Sequence, residues 1–337
     1  MLKRWQFWLG LIISAGCLYL VLRGMHLGEV WQAMRTARYG WIVPGVAVYF
    51  FAVWARTWRW HYMLRPIQAV GLRDLFPVVA IGYMGNNVYP ARAGELIRAY
   101  VLKRREGVSV SASLATIVVE RIFDGVIMLL FVFIALPLTP MPGWLRQVVV
   151  MASLLFLGAL GIFFAIAVQQ ERAQALYGWF IGRLVPAPLQ PRARGLADRF
   201  MAGLHCLRSG RDVLMIFATS LVVWLAETVK YWFVMHSFEF SVPFWVLMLM
   251  NGVVNLATTV PSAPGYVGTF DAPGIEVLVT FAVPRSIATA YTLVLHAALW
   301  FPITALGAYY FWRESLSWAE LAVATGAREA SSELEVS

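Results

Sequence analysis

Charge is scarce in this chain. Only 13% of its 337 residues are Asp, Glu, Lys or Arg, against 60% hydrophobic, whereas a soluble domain carries about 25% charged residues. An ordinary water-soluble fold is excluded. Cys17 and Cys206 are the two cysteines, one in an apolar run and one in a basic stretch, which leaves no disulfide framework. The five histidines are scattered at 26, 61, 205, 236 and 296. No His/Cys group has metal-ligand spacing, so neither a metal nor another cofactor is expected. The pattern G-x-x-x-x-G-K-[ST] is missing, which argues against a built-in P-loop ATPase. In such a chain the net charge of +9 reads as basic loops facing an anionic leaflet, not as a nucleic-acid surface.

What is present is hydrocarbon, in several runs of about 20 apolar residues, each able to cross a core of roughly 30 Å. The expected fold is an all-α polytopic membrane protein of about six full spans. They fall at Trp5–Leu22, Trp41–Met63, Ser111–Leu136, Val148–Val168, Val213–Phe238 and Ile287–Trp312. The first run is too long for a signal-peptide core and is read as an uncleaved helix with a cytoplasmic start at Lys3 and Arg4. The short connection after it, with Arg23, Arg35 and Arg38, is read as an external loop. Arg56 and Arg59, interleaved with Trp58 and Trp60, are expected to snorkel to the interface at the inner end of the second span. The long basic stretch 169–211 reads as interfacial amphipathic helices on the inner leaflet. Residues 1–312 are read as one transmembrane domain, with a short, acidic, frayed cytoplasmic tail at 313–337. Loop charge places both termini in the cytoplasm.

Two apolar segments, 74–103 and 244–280, are interrupted before they can span. The first breaks at Pro90 and Gly94, the second at Pro261 and Gly265. Both are expected to be re-entrant, because a broken backbone at bilayer depth needs protein or water to satisfy it. They resemble each other as P-x-x-x-G, and each leads into a span through a similar stretch (108–115 and 283–290). Three crossings between them make the repeat inverted, and such paired breaks point to a transporter's central site. Pro90, Gly94, Pro261 and Gly265 are therefore the expected hinges.

The remaining charge concentrates between Gly82 and Asp124. Asn86, Asn87, Arg92, Glu95, Arg98, Glu120, Arg121 and Asp124 lie there, and Glu227 and Lys230 add a pair at i, i+3. A charge at the centre of a membrane helix costs roughly 2.5–3.5 kcal/mol, so these ten residues are the candidate substrate-binding and translocation set. Glu120 and Asp124 share one helix face. Arg92 and Arg98 suit phosphoryl oxygens.

The motifs GYMGNNVYPARAGELIRAY, VVERIFDG and PSAPGYVGTF together resemble the lysylphosphatidylglycerol synthase transmembrane, flippase-like family. The resemblance implies a lipid translocase fold in a bacterial inner membrane. Its expected partners are membrane phospholipids, a lipid-synthesising enzyme encoded separately and a second copy as a homodimer. Bifunctional members carry a soluble aminoacyl-transferase domain, and this chain stops at Ser337. Synthesis of an aminoacylated lipid is therefore not expected.

Three functions follow. A lipid translocase would bind a headgroup on the arginines and leave the acyl tails in the bilayer. An ion- or proton-coupled transporter of a small solute would use Glu120, Asp124, Glu227, Asp271 and Glu276 as carriers. A membrane-embedded headgroup enzyme would use Glu120 and Asp124 as acid and base. His296 reads as a polar packing residue, and an ion-pair network that only fixes the first hairpin would also account for the charges.

Overall fold

The computed structural model describes residues 11–17, 19, 27–89, 93–139, 143–259 and 262–317. Among these residues all regular structure is helical, with thirteen α-helices and no strand. Residues 11–17 belong to α1, and α2 is Leu27–Thr36. Next come α3 (Ile42–Leu64), α4 (Leu72–Val88), α5 (Gly94–Glu106) and α6 (Val110–Ala135). The middle of the chain forms α7 (Gly143–Val168), α8 (Gln170–Leu184) and α9 (Gln190–Gly203). The last four are α10 (Gly210–Met235), α11 (Phe244–Ala257), α12 (Asp271–Thr280) and α13 (Arg285–Arg313).

By length and composition, three described stretches can cross a membrane: Tyr39–Leu64, Gly210–Met235 and Arg285–Arg313. Sequence reading placed spans over each of them, within a few residues. The connection read as a loop after the first span is in fact α2. Leu27, Val30, Trp31 and Met34 repeat at helical spacing, with Glu29 in the first turn and Arg35 in the last, which suits the helix dipole. The ends of the expected first span and the tail from 318 lie outside the described residues.

Each interrupted segment forms a helical hairpin. α4 packs along α5 and α11 along α12. The four helices have 17, 13, 14 and 10 residues, or about 26, 20, 21 and 15 Å at 1.5 Å per residue. The α4–α5 contact needs glycine: a Cβ on Gly94 would sit 1.9 Å from the Gly82 carbonyl oxygen and 2.6 Å from the Asn86 nitrogen. α5 stops at Gly107, whose φ of 75° closes a left-handed cap. Lys103, Arg104 and Arg105 occupy its last turn, where the dipole favours cations. Ser109 then caps α6 by accepting from the Ala112 N–H at 3.2 Å.

Packing between the two hairpin units is reciprocal. α3 and α10, which precede the hairpins, lie against each other. α4 of the first unit packs on α13, and α11 of the second packs on α6. The helix before, the hairpin and the helix after thus exchange reciprocal contacts. The apolar core follows suit: one cluster is built around Trp60, Leu75, Ile81 and Ile97, another around Tyr231, Met250, Ile275 and Tyr291.

Candidate functional site

Between the units lies a cavity of about 1030 Å³, its open mouth included, walled by α3, α4, α5, α6, α10, α11 and α13 and by the turn at 264–266. Behind its polar lining, in contact with Glu120, lies a residue read from sequence as interfacial. Arg59 on α3 is 0% exposed and sits at the centre of the ion pairs. Its Nη1 donates to Asp124 Oδ1 at 2.5 Å and to Ser220 Oγ at 2.9 Å, and its Nη2 lies 3.0 Å from Glu120 Oε1. The snorkelling assignment is therefore corrected for both arginines of α3. Arg56, also buried, donates to Glu227 Oε1 at 3.0 Å and lies over the Trp224 ring at 5.0 Å. The reason is a charge balance inside the spans. Asp124 and Glu227 are buried carboxylates that require partners, and Arg59 and Arg56 supply them alongside Arg121 and Lys230.

Around this centre the predicted residues take distinct positions. Glu120 accepts from Arg98 at 2.6 Å and from Arg121 at 2.5 Å. Arg121 also lies 3.4 Å from Asp124 Oδ2 and 3.6 Å from Glu95 Oε1. Asp124 additionally accepts from Trp224 Nε1 at 2.8 Å. Arg98 stacks on the Trp60 ring at 4.3 Å, and Trp60 Nε1 donates to Thr116 at 2.9 Å. Lys230 pairs with Glu227 and lies 4.5 Å from the centre of the Tyr49 ring. The cluster counts five cations (Arg56, Arg59, Arg98, Arg121, Lys230) against four carboxylates (Glu95, Glu120, Asp124, Glu227). Even so, the Nε atoms of Arg56, Arg59, Arg98 and Arg121 are buried without a hydrogen-bond partner among the described residues.

The asparagines serve the breaks. Asn86 Oδ1 accepts from the Gly94 N–H at 2.9 Å, which caps the start of α5 from the neighbouring helix. Asn87 reaches α13, donating to Thr304 Oγ1 at 2.8 Å and to the Trp300 carbonyl at 3.4 Å. Of the expected hinges, Gly94 and Gly265 line the cavity; Pro90 and Pro261, with the expected ligand Arg92, lie outside the described residues. Gly265 has φ 74°, a backbone shape that favours glycine. A Cβ there would also stand 2.7 Å from Trp300 Nε1 and 3.6 Å from the Asn87 carbonyl oxygen. The two breaks thus approach each other at the cavity.

The family model of the lysylphosphatidylglycerol synthase TM region matches residues 7–307. The chain belongs to that family. Among curated proteins it is similar to a UPF0104 membrane protein of Methanothermobacter thermautotrophicus, 23% identical over 299 residues, covering 83% of this chain and 87% of the relative. A second UPF0104 membrane protein of that organism is 24% identical over 284 residues, 80% of this chain and 83% of the relative. Glycosyltransferase AglD of Haloferax volcanii is 23% identical over 298 residues, 78% of this chain and 47% of that protein. These relatives are archaeal. No solved structure matches the chain. Family and apolar helices together make this a multi-pass helical membrane protein.

Sequence reading gathered nine of the residues that meet in the cavity or its ion pairs. It missed Arg56, Arg59 and Trp224, and it assigned His296 to packing. The arginines gave no distinct signal, because the candidate set already matched four carboxylates with the four cations Arg92, Arg98, Arg121 and Lys230. Trp224 gave none either, because an indole in an apolar span looks like core.

Proposed function

We propose that the protein translocates a lipid with an anionic, phosphate-bearing headgroup across a cellular membrane, the headgroup passing through this cavity while the tails stay in the bilayer. The observation that carries the reading is a buried cluster with one cation in excess, in which three arginines with an unpartnered guanidinium N–H, Arg56, Arg98 and Arg121, line the cavity. A buried donor left unpaired costs about 1–3 kcal/mol. Phosphate oxygens accept from guanidinium in matching geometry, and a phosphodiester carries the single negative charge that balances the cluster.

The hairpin helices are each shorter than a bilayer core of roughly 30 Å. We therefore read both hairpins as re-entrant and the two units as an inverted repeat, with Gly94 and Gly265 marking gates that open to opposite faces. The basic region 169–211 then lies on the cytoplasmic leaflet with both termini, in a bacterial inner membrane or its archaeal counterpart. The partners of this reading are membrane phospholipids and a lipid-synthesising enzyme on a separate chain. The homodimer remains part of the proposal.

Purified protein in proteoliposomes, given labelled phosphatidylglycerol, phosphatidylethanolamine and an aminoacylated lipid, tests the reading. Phosphatidylglycerol should cross fastest, and Arg98→Gln should slow it roughly 10–100-fold, the loss of one charge-assisted bond. Movement of none of the three by folded protein, or equal movement by Arg98→Gln, would overturn it. The relative named as a glycosyltransferase supports a second reading, a headgroup-modifying enzyme, which predicts a changed lipid in the same vesicles.

A further inference from the structure

The second break carries a clasp of its own. His296 on α13 places Nδ1 2.9 Å from Asp271 Oδ1 and Nε2 2.7 Å from the Gly265 carbonyl oxygen. Asp271 is 1% exposed, and its Oδ2 already accepts from the Gly268 N–H at 2.9 Å. Both ring nitrogens therefore face acceptors. A carbonyl oxygen only accepts, so Nε2 carries a proton. Nδ1 and Asp271 Oδ1 then need one more proton between them, as imidazolium beside carboxylate or as carboxylic acid beside neutral ring. In either form the pair holds one proton beyond a carboxylate and a neutral histidine.

The first unit has a related carboxylate–cation pair, one that cannot release a proton. Arg121 and His296 each stand eleven residues after the first residue of α6 and α13. Arg121 lies 3.6 Å from Glu95, in the first turn of α5; His296 meets Asp271, in the first turn of α12. Equivalent helices are thus joined by equivalent carboxylate–cation pairs. In one unit the cation is an arginine, charged at every physiological pH; in the other it is a histidine, the one of the two side chains that can give up its proton.

We propose that the His296–Asp271 pair is a proton-binding site that locks the second break when loaded and releases it when empty, so that headgroup passage is coupled to a proton. The coupling rests on the translocase reading above; the proton site does not. Loss of the proton to cavity water leaves Nε2–H on the Gly265 carbonyl oxygen, while the Nδ1 lone pair faces an ionised Asp271 at the same short separation. Two acceptors then repel where a charge-assisted bond had held α12 to α13. What then remains on the second break is the single Nε2–H bond to Gly265, whose φ of 74° marks the turn between α11 and α12.

The other charged groups around the ring are already committed. Glu227, Lys230 and Arg56 on α10 and α3 pair among themselves across the cavity. Glu276 of α12 is paired with Arg285 at 2.7 Å. Glu29 and Arg35 of α2, which packs on α13, are exposed. Glu95, Arg98, Glu120 and Arg121 of the cavity wall pair with one another, and Tyr83 on α4, Tyr49 on α3, Tyr231 on α10 and Tyr266 of the break supply its remaining titratable groups. His296 and Asp271 are left as the pair that changes charge.

The test uses a buried reporter beside the break, Ser262→Cys (5% exposed in the parent residue), in full-length protein with Cys17 and Cys206 replaced by Ser. Its maleimide labelling is followed between about pH 6 and about pH 8, where a histidine changes charge. The same reporter with His296→Gln supplies the thiol's own pH dependence. The rise in rate should exceed that of the Gln background by about tenfold or more, the ratio carried by one charge-assisted hydrogen bond. Equal rises in the two backgrounds would refute the proton site. Should the reporter fail to fold, nitrogen NMR of labelled histidine decides it in the parent protein. A His296 signal that loses a proton across this pH range supports the site, and one that does not change overturns it. In proteoliposomes an imposed pH gradient should speed lipid movement several-fold, and His296→Gln and Asp271→Asn should abolish that gain. Lipid that moves equally with and without the gradient refutes coupling and leaves the translocase standing. Absence of any lipid movement refutes the translocase and the coupling together, and the labelling result then stands alone for the proton site.

Discussion

Arg59→Met is the perturbation that best separates scaffold from substrate site. The methionine keeps the volume of the stem and removes every donor. Arg59 is 0% exposed, whereas the Arg121 side chain is 38% exposed. Two unit charges about 3 Å apart attract by roughly 5 kcal/mol at an effective dielectric near 20. Arg59 makes two such contacts, to Asp124 at 2.5 Å and Glu120 at 3.0 Å. Desolvation offsets much of that gain, and breaking a buried pair from one side costs about 3–5 kcal/mol because a charge is left behind. Arg59→Met should therefore destabilise by about 3–5 kcal/mol. Arg121→Met, at a side chain more than a third exposed, should cost about 1 kcal/mol or less.

The two carboxylates should also respond unequally. Glu120 keeps Arg98 at 2.6 Å and Arg121 at 2.5 Å after Arg59 is gone, while Asp124 keeps only Arg121 at 3.4 Å and the Trp224 N–H. A double-mutant cycle should give a coupling of about 2–3 kcal/mol for Arg59 with Asp124→Asn and about 1 kcal/mol for Arg59 with Glu120→Gln. Reversible unfolding in mixed micelles, read by tryptophan fluorescence, measures both. Arg59→Met within about 1 kcal/mol of the parent, or Arg121→Met the more damaging of the two, would refute the assignment of Arg59 as the structural centre.

Gly94→Ala should cost at least about 3 kcal/mol, beyond the usual range for an overpacked site, because the clash is with the backbone at Gly82 and Asn86; near-parent stability would show that α4 and α5 can separate. Burial pushes the Cys206 thiol up to about 12, so in a Cys17→Ser protein it should resist maleimide near neutral pH until denaturant is added. Rapid labelling of the folded protein would contradict the packing of the 205–208 turn. Burial, with Arg208 beside it, holds His205 below the usual histidine value. Its folded ring thus prefers to be neutral, and stability should fall as pH drops through about 6.5, where the unfolded ring takes up its proton. Denaturant melts at neutral and mildly acidic pH should show that loss, and His205→Gln should reduce it.

Legibility in the sequence followed the physics of each signal. Long apolar runs and Pro/Gly breaks are local, and the helices and both hairpins were readable from them. The short helix α2 was harder, since its apolar face spans only a few residues and resembles an interfacial loop. Within the site, the carboxylates declared themselves because a Glu or Asp in an apolar run must find partners, whether its role is structural or functional. The arginines of α3 did not, because arginine near tryptophan reads equally well as an interfacial anchor. What decides between those readings is a partner 65 or 171 positions away, Asp124 for Arg59 and Glu227 for Arg56, and no local pattern contains it. His296 was ambiguous for the same reason: only the fold brings Asp271 and the Gly265 carbonyl to its two nitrogens.

The contacts of α13 add a constraint on how the two breaks can move. His296, Trp300 and Thr304 follow one another at i, i+4 spacing and so share one face of a single helix. His296 holds the second break through Gly265, and Trp300 lies against the same glycine. Asn87, at the tip of α4, binds the Trp300 carbonyl and Thr304. One helix face therefore touches both hairpins. A tip that swings away must either leave this face, which loses its bonds, or carry α13 with it, which changes the footing of the other tip. Bonds to the first tip are neutral and pH-independent, whereas the bond to the second includes the His296–Asp271 pair. Protonation biases one tip directly and the other through the helix they share, which is the kind of linkage an alternating gate requires. The prediction is specific to Asn87→Ala: it should leave the proton-dependent labelling beside the second break in place and weaken the dependence of lipid movement on the pH gradient. If Asn87→Ala leaves gradient-driven movement unchanged, the two hairpins act independently, and the shared face of α13 is packing alone.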